Sequence, residues 1–223
     1  INKTEKKSYA PALYDLTELQ RDANRIFGYS AKETLSILQR LYEQHKIVTY
    51  PRADSRYIST DMVDTLKERV EAIRAHSYKQ IASKLLTKPI KANKSFVNNE
   101  KVTDHHAIIP TEEAVLLSKL SDKEYKIYDL IVKRFLAVLL PPFLYEQTNI
   151  TASIGTEQFV AKGKTVISQG WKEVFSSMEE QEDGSDSLTD QLLPSMNKGD
   201  VLPIRKVELT SGKTKPPEPF TEG

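Results

Sequence analysis

The sequence predicts an α+β protein in which a helical unit is inserted in a β-rich unit. From Leu16 to about Leu139 the local signals are helical, whereas after Pro141 the hydrophobic pattern becomes typical of strands. In addition, residues 8–13 suit an extended piece that returns to the same sheet as the later strands. The helical unit therefore interrupts the β-rich one.

Four Ser/Thr-x-x-Glu/Gln patterns predict helix starts, because the side chains of the first and fourth residues satisfy each other's backbone amides. These patterns begin at Thr17, Ser30, Ser77 and Ser121. Apolar residues at helical spacing follow the first two, and Gly28 suits a left-handed cap at the end of the first helix. The segment is therefore predicted to be a multi-helix unit.

Two more boundaries come from periodicity and proline. Residues 61–75 predict a third helix with Val63, Leu66 and Val70 facing inward. The last helix carries apolar residues up to Leu139, and Pro141 must stop it because proline cannot continue the hydrogen-bond ladder.

Strand composition dominates the remainder. Residues 144–154 and 158–167 are rich in β-branched and aromatic side chains, and Gly155-Thr156 between them suits a hairpin turn. Residues 201–209 predict another strand after the turn at 197–200.

Length and composition bound the class of protein. A chain of 223 residues is about one large domain or two small ones. Its 28% charged residues and mean hydropathy of -0.48 fit a protein in water, and no run approaches the ~20 apolar residues of a membrane-spanning helix. Zero cysteines exclude disulfides and thiolate zinc sites, and no signal peptide is evident. We expect a cytoplasmic location. Because the sequence begins with Ile1 and not with methionine, we also expect the chain to be a piece of a longer protein.

Charge is distributed unevenly although the net charge is +1. Residues 78–101 are basic and residues 173–190 are acidic. Both patterns are typical of solvated loops, but the basic one also suits a surface that faces phosphates.

Residues 49–56 place a phenol beside two guanidiniums, a carboxylate and a hydroxyl. They are Tyr50, Arg52, Asp54, Ser55 and Arg56. This combination can attack a phosphodiester and bind the attacked phosphate, but it is equally ordinary composition for a strand followed by a turn.

The chemistry of such a site would depend on Tyr50. Pro51 favours an extended conformation for it. A tyrosine phenol has a pKa of about 10, so a neighbouring cation such as Arg52 or Arg56 would help to form the phenolate and would also bind a phosphate oxygen. Asp54 can orient an arginine, cap the helix that begins near residue 60 or act on a leaving group.

A second cluster contains Asp104, His105 and His106. Paired histidines are compatible with a metal site, but adjacent residues of an extended segment point in opposite directions. A histidine can instead donate to a phosphate or protonate a leaving oxygen, because its charge changes near neutral pH. A metal-dependent hydrolase that uses these three residues stays a weaker hypothesis.

Together, these motifs resemble the type IA DNA topoisomerases and, among them, the bacterial topoisomerase III group. The resembling blocks occur in the family's order at residues 14–17, 19–21, 23–24, 30–32, 34–35, 41–43, 49–52, 54–55, 104–111, 214–217 and 220–223.

The resemblance implies a role for each matching residue. Tyr50 looks like the nucleophile that breaks one DNA strand and becomes a 5′-phosphotyrosine, and Arg52 matches an arginine that contacts the scissile phosphate. His105 matches the first histidine position of the second motif, and His106 a more variable position. Ala53 departs from the usual threonine, which removes a hydroxyl. The resemblance also implies DNA contacts at Arg56, Asp54, Ser55, His106, Lys101 and Lys215.

The resemblance further implies an architecture and partners. Residues 1–13 would form the first strand of a β-rich arch domain, 14–140 the helical domain with the catalytic tyrosine, 141–209 the rest of the arch, and 210–223 the start of another domain. The substrate would be single-stranded or underwound DNA, with relaxation or decatenation that needs no ATP. Mg²⁺ would bind to a Toprim domain outside this chain, and no metal site is expected within it.

We expect this chain to be inactive alone and to act as a monomer together with the rest of its polypeptide. The alternative is a non-enzymatic nucleic-acid-binding module, because basic loops on helices can dock on phosphates without chemistry.

Overall fold

A computed structural model describes residues 1–74, 76–175, 193–214 and 216. It divides into two compact units. One contains Ile1–Lys6, Leu144–Ile167 and described residues from 193 onward, and the other contains Lys7–Phe143 and residues 168–175. The helices of the described part are α1 (Leu16–Phe27), α2 (Ala31–Glu43), α3 (Leu66–Ala72), α4 (Lys79–Leu86) and α5 (Asp122–Leu139), and its strands are β1 (Asn2–Ser8), β2 (Phe143–Ile154) and β3 (Glu157–Ser168).

Side-chain caps explain where three of the helices begin. Ser30 accepts a hydrogen bond from the Glu33 amide at the start of α2, and Ser121 forms a complete capping box with Glu124 at the start of α5. Both predicted starts are confirmed. The predicted start at Thr17 is wrong, because the Asp15 carboxylate accepts the amide of Glu18 and the N-cap therefore lies two residues earlier than predicted.

The remaining helices differ from the prediction in extent. α4 begins without a side-chain cap, so the pattern at Ser77 does not function as a cap. The predicted helix over 61–75 is divided, with a 3₁₀ turn at Thr60–Thr65 before the seven-residue α3. The predicted ends are confirmed at Gly28, which adopts a φ of 70°, and at Leu139.

Helix α5 is the centre of the helical unit. It packs against α1, α2 and α4, and most of its circumference is buried. Even its charges are paired inside the unit, because Lys133 bonds Asp129 over 2.8 Å while the Tyr78 hydroxyl donates to the same carboxylate over 2.5 Å. Burial raises the pKa of Tyr78 far above its ordinary value, with a further increase from Asp129.

A short 3₁₀ segment, Gly170–Phe175, also packs on α5. Gly170 is required there, because a Cβ would lie 2.3 Å from the carbonyl oxygen of Pro142. The next residue, Trp171, donates its backbone amide to Pro141 and its indole N–H to the carbonyl of Ser8, both over 2.9 Å. One tryptophan thus holds two distant parts of the helical unit.

The three strands form one antiparallel sheet in the order β1–β2–β3. The hairpin turn occurs at Gly155, whose φ is 60°, as predicted. The N-terminal strand lies at Asn2–Ser8 rather than at 8–13.

The predicted strand over 201–209 is wrong, because these residues form no regular element. Val201 and Leu209 are 94% and 99% exposed, so no buried face supports strand pairing there. The coarser prediction of mixed helices and sheet is confirmed. Among the described residues, no helix has the length and apolar character needed to cross a membrane.

Candidate active site

The chain approaches Tyr50 directly from the end of α2. After Glu43 the backbone turns through Lys46, which adopts a left-handed φ of 57°, and the Ile47 amide bonds back to Leu41 over 3.1 Å. This pattern is a helix C-terminal motif, although it usually contains glycine. It fixes the direction in which the chain leaves the helix.

Residues 47–49 then pair with residues 109–111. The Thr49 amide donates to Ile109 and the Thr111 amide donates to Ile47, over 3.0 and 3.1 Å. The Thr49 hydroxyl donates to Ala107 and accepts from the Ile109 amide, so its hydrogen-bonding capacity is used in holding the two segments together. This short ladder brings the two sequence motifs side by side.

The Tyr50 and His105 rings stack at the end of this ladder. Their centroids lie 4.1 Å apart with an interplanar angle of 28°. Tyr42 of α2 contacts the Tyr50 ring edge-on at 5.7 Å, and Tyr50 stays 36% exposed. The phenol is thus held between two rings but is open to solvent.

The residues after Tyr50 alternate between buried and exposed positions. Pro51, Ala53 and Ser55 are buried, whereas Arg52 and Asp54 are exposed. The Ala53 carbonyl accepts the first amide of α1, from Leu16, over 3.0 Å. The Ala53 side chain is 2% exposed, so it faces the core side of this turn.

Ser55 serves the framework of the turn. Its hydroxyl donates to the Lys101 carbonyl over 2.6 Å and accepts from the Tyr57 amide over 3.1 Å. The ammonium of Lys101 lies 4.8 Å from the centre of the Tyr57 ring and 3.3 Å from its hydroxyl. Lys101 is exposed, but its ammonium is already in contact with the Tyr57 side chain.

Asp54 accepts a hydrogen bond from the Thr103 hydroxyl over 2.7 Å. This bond is the main cause that lowers the pKa of Asp54, and the nearby His105 contributes in the same direction. The proposed capping role of Asp54 is wrong, because Ser59 occupies the N-cap position of the following 3₁₀ turn. Asp54 instead joins the tyrosine turn to the histidine segment.

The two arginines of the turn differ. Arg52 makes no hydrogen bond or ion pair to any residue that the structure describes. Arg56 is half-buried, and its guanidinium contacts the Leu13 carbonyl at 3.5 Å and the Glu18 carboxylate at 3.6 Å. Arg52 is thus the more available cation for a phosphate.

His106 lies in a different environment from its neighbour. Its Nδ1 lies 2.8 Å from the Ala107 carbonyl, and its ring is half-buried. Burial lowers the pKa of His106, and the positive charge of Arg69 lowers it further. Lys215 lies outside the described residues.

The described part of the chain contains no group of three or more His, Asp or Glu side chains arranged to hold a metal ion. The hypothesis of a hydrolase with Asp104, His105 and His106 as ligands therefore gains no support.

Tyr42, Thr103 and Arg69 are neighbours of the site that sequence reasoning missed. Tyr42 and Thr103 lie inside or beside the motifs, which is a usable signal, whereas Arg69 lies in an ordinary helix.

The comparison with known families fits this geometry. A family model described as DNA topoisomerase matches residues 1–223. The chain belongs to this DNA topoisomerase family. It is 60% identical over 223 residues to DNA topoisomerase 3 of Bacillus subtilis (strain 168) and equally to that of Bacillus licheniformis, covering 100% of this chain and 30% of each relative. The chain thus spans about 30% of the length of the curated relatives it matches.

A solved structure gives the same result for the fold. Full-length topoisomerase I from Thermotoga maritima superposes with a TM-score of 0.58 at 25% identity, covering 87% of this chain and 30% of that chain. The predicted resemblance to type IA topoisomerases of the topoisomerase III group is confirmed.

Proposed function

We propose that Tyr50 is the nucleophile with which the topoisomerase containing this chain cleaves one DNA strand. The observation that carries this proposal is the stack of Tyr50 on His105 at 4.1 Å, on an exposed edge of the helical unit. A phenol and an imidazole are thereby available to the same phosphate. Two residues along, the exposed Arg52 has no hydrogen-bond or ion-pair partner among the described residues, so its guanidinium is available for a phosphate oxygen. A purely structural tyrosine would not need this combination.

The proposed step exchanges one phosphodiester for another. The Tyr50 oxygen attacks phosphorus and forms a bond to it, while the bond from phosphorus to the 3′ oxygen breaks. The phenol loses its proton and the leaving 3′ oxygen gains one. Because a phosphotyrosine is close in energy to the phosphodiester it replaces, the reverse step reseals the strand without ATP after another strand has passed.

Arg52 and His105 supply the charge and the proton in this scheme. The Arg52 guanidinium binds a non-bridging oxygen, where negative charge accumulates in the transition state. His105 donates either to the phosphate or to the leaving oxygen, a role supported by the stacking of its ring on the ring that carries the attacking oxygen.

The other predicted DNA contacts receive uneven support. Lys101 is exposed near the turn, which suits phosphate binding, although its ammonium also contacts Tyr57. Arg56 is half-buried and faces Leu13 and Glu18, so it is less available than Arg52. The side chains of Ser55 and His106 are engaged within the protein, so a framework role fits them better. Contacts from Asp54 and Lys215 stay predictions.

We further propose that single-stranded or underwound DNA is the substrate, for relaxation or decatenation, and that the rest of the polypeptide is needed for cleavage. We propose that Mg²⁺ binds to that remainder, in the Toprim domain that the family resemblance implies. No step assigned to this chain involves the ion.

We also propose that the helical unit is inserted in a β-rich arch domain. In support, the chain passes from residues 1–6 into the helical unit and returns to the sheet at Leu144. The boundaries at 13, 140 and 209 stay predictions.

A chimaera tests the function. This chain replaces the matching segment of Bacillus subtilis DNA topoisomerase 3, and the product is incubated with a single-stranded oligonucleotide and Mg²⁺ before denaturation in detergent. A 5′-phosphotyrosine keeps a 3′-terminal label on the protein and releases a 5′-terminal one. We expect Tyr50→Phe to abolish the adduct, since phenylalanine has no nucleophilic oxygen.

The exposed Tyr9 supplies the matched control, and Tyr9→Phe should retain the adduct. An adduct in Tyr50→Phe would refute the assignment. Oligonucleotide binding without any adduct in the unmutated chimaera would favour the binding-module alternative. The 223-residue chain alone should give no adduct.

A further inference from the structure

Arg69 is a buried cation that no part of the proposed chemistry uses. It lies on α3 and is 7% exposed. Its Nε donates to the Thr65 hydroxyl over 3.0 Å, its Nη1 to the Pro110 carbonyl over 2.7 Å, and its Nη2 pairs with Glu112 over 2.6 Å. A buried guanidinium is tolerated only when its donors are satisfied, so this set of contacts holds the side chain in one position.

Two of these contacts lie on the segment that carries the histidines. Pro110 pairs with Val48 in the short ladder, and the ladder hydrogen bonds are made by its neighbours Ile109 and Thr111. The Pro110 carbonyl is bound by Arg69 instead. The segment is therefore held by the tyrosine strand on one side and by α3 on the other.

His105 lies five residues before Pro110 on the same segment. Between them the Ala107 and Ile108 amides donate to the carbonyls of Tyr57 and Tyr14, over 2.9 and 2.8 Å. The segment is thus bonded along its length and ends at the Arg69 contacts. The amides of Ala107, Ile108 and Ile109 are all hydrogen-bonded, so the segment has little freedom to bend between Pro110 and His105. A shift at Pro110 would therefore displace the His105 ring.

We propose that Arg69 is a positioning residue that keeps His105 stacked on Tyr50 in the geometry needed for strand cleavage. The proposal rests on the proposed function for its catalytic consequence, but not for the stack itself. Lysine cannot reproduce it fully, since a compact ammonium lacks the planar fork that reaches Pro110 and Glu112 together.

Nuclear magnetic resonance tests the positional part on the 223-residue chain. The chain has four histidines, so the imidazole signals are few enough to assign by substitution. The Tyr50 ring should displace the His105 ring-proton signals, and Tyr50→Leu gives the unstacked reference. We expect Arg69→Met to move the His105 signals at least halfway to that reference, with partial recovery in Arg69→Lys.

The exposed Arg74, whose ion pair with Glu71 lies on the surface, supplies the matched control, and Arg74→Met should leave the His105 signals unchanged. Unchanged His105 signals in a folded Arg69→Met chain would overturn the proposal. If Arg69→Met does not fold, the same measurement is made on Glu112→Ala. This variant should fold, because the Glu112 side chain is 40% exposed, and it removes one of the partners that hold Arg69. Movement of the His105 signals in that variant supports the proposal, and their constancy refutes it.

Cleavage by the chimaera tests the catalytic part. We expect Arg69→Met to reduce the single-turnover cleavage rate about 10- to 100-fold while oligonucleotide affinity stays within about twofold, since a displacement near 1 Å can cost about that much. A loss of oligonucleotide affinity with an unchanged cleavage rate would contradict the positioning role. Failure of the unmutated chimaera to cleave would count against the proposed function alone, because the stack is measured independently.

Discussion

The tyrosine segment, residues 47–57, and the β2–β3 hairpin both carry exposed side chains, but their backbones are supported differently. In the tyrosine segment Pro51, Ala53 and Ser55 are buried between the exposed Arg52 and Asp54. In the hairpin every residue from 151 to 160 is exposed, including Phe159 at 51% and Val160 at 63%. The tyrosine segment is anchored by buried side chains at alternate residues, whereas this part of the hairpin is held by the hydrogen bonds between strands of the sheet.

This difference shows what a reactive surface requires. A side chain that must meet a phosphate within a fraction of an ångström needs a backbone that does not move, and buried neighbours with satisfied hydrogen bonds supply that rigidity. A segment with few buried contacts opens locally at low cost. Substitutions of the anchors around the tyrosine segment should therefore lower the free energy of unfolding more than a substitution in the exposed hairpin.

The largest effect is expected at the buried anchor Ser55. Replacing it by alanine leaves the partly buried Lys101 carbonyl and Tyr57 amide without their partner, and an unsatisfied group costs about 1–3 kcal/mol when it is kept from water. We expect Ser55→Ala to lower the free energy of unfolding of the helical unit by about 3 kcal/mol in urea. Trp171 is the single tryptophan and reports on this unit. The exposed Ser95 gives the control Ser95→Ala, and equal losses in the two variants would contradict the anchoring role.

A smaller effect is expected from acid at Glu124, which supports the end of α2 before Tyr50. Burial opposes its ionisation, but hydrogen bonds from Arg40 and Ser121 outweigh burial and lower the pKa of Glu124 to about 2. Because this folded-state pKa lies below the ordinary 4.5, the stabilisation is complete above about pH 4.5 and is lost as the pH falls towards 2.

Since Arg40 is 39% exposed, solvent screens the pair and we expect about 2 kcal/mol to be lost across that range. Urea unfolding at several pH values measures it. Glu124→Gln should flatten the pH dependence, while Glu33→Gln, which alters an exposed pair with Lys123, should preserve it. The same acid sensitivity in Glu124→Gln as in the unmutated chain would exclude this carboxylate as its source.

The smallest effect is expected in the hairpin. Val160→Thr keeps the shape and the β-branching but adds a hydroxyl, which costs little where water already reaches it. We expect the protection of β2 and β3 amides against hydrogen exchange to change by no more than about 0.5 kcal/mol. The buried Val97, at 8% exposure, gives the matched variant Val97→Thr with an expected loss of about 1–2 kcal/mol. A loss above 1 kcal/mol at Val160 would show that the hairpin has buried support of its own.

Local signals predicted most of the helices and the hairpin. The caps at Ser30 and Ser121, the end at Gly28 and the turn at Gly155 depend on a few neighbouring residues, so sequence alone determines them. The Ser/Thr-x-x-Glu/Gln pattern placed the first cap at Thr17, whereas Asp15 caps α1, because an aspartate carboxylate accepts a helix amide as well as a hydroxyl does.

Features that depend on distant partners were harder to predict. The strand expected over 201–209 needs a neighbouring strand, and residue composition cannot supply one. The stack of Tyr50 on His105 joins residues far apart in the chain, and only the resemblance to a family predicted that they act together. Arg69 was missed because two of its partners, Pro110 and Glu112, lie on a distant segment, with Pro110 41 residues away.

Trp171 gives the helical unit a further property. Its two hydrogen bonds hold Ser8, where the chain enters the unit, and Pro141, where the long helix has just ended. A module whose two ends are clasped together can be accommodated within a host loop at little cost in chain entropy, since the loop closure is already made. Because of these two hydrogen bonds, the helical unit should be transferable between homologous proteins as one segment, provided that residues 168–175 are transferred with it.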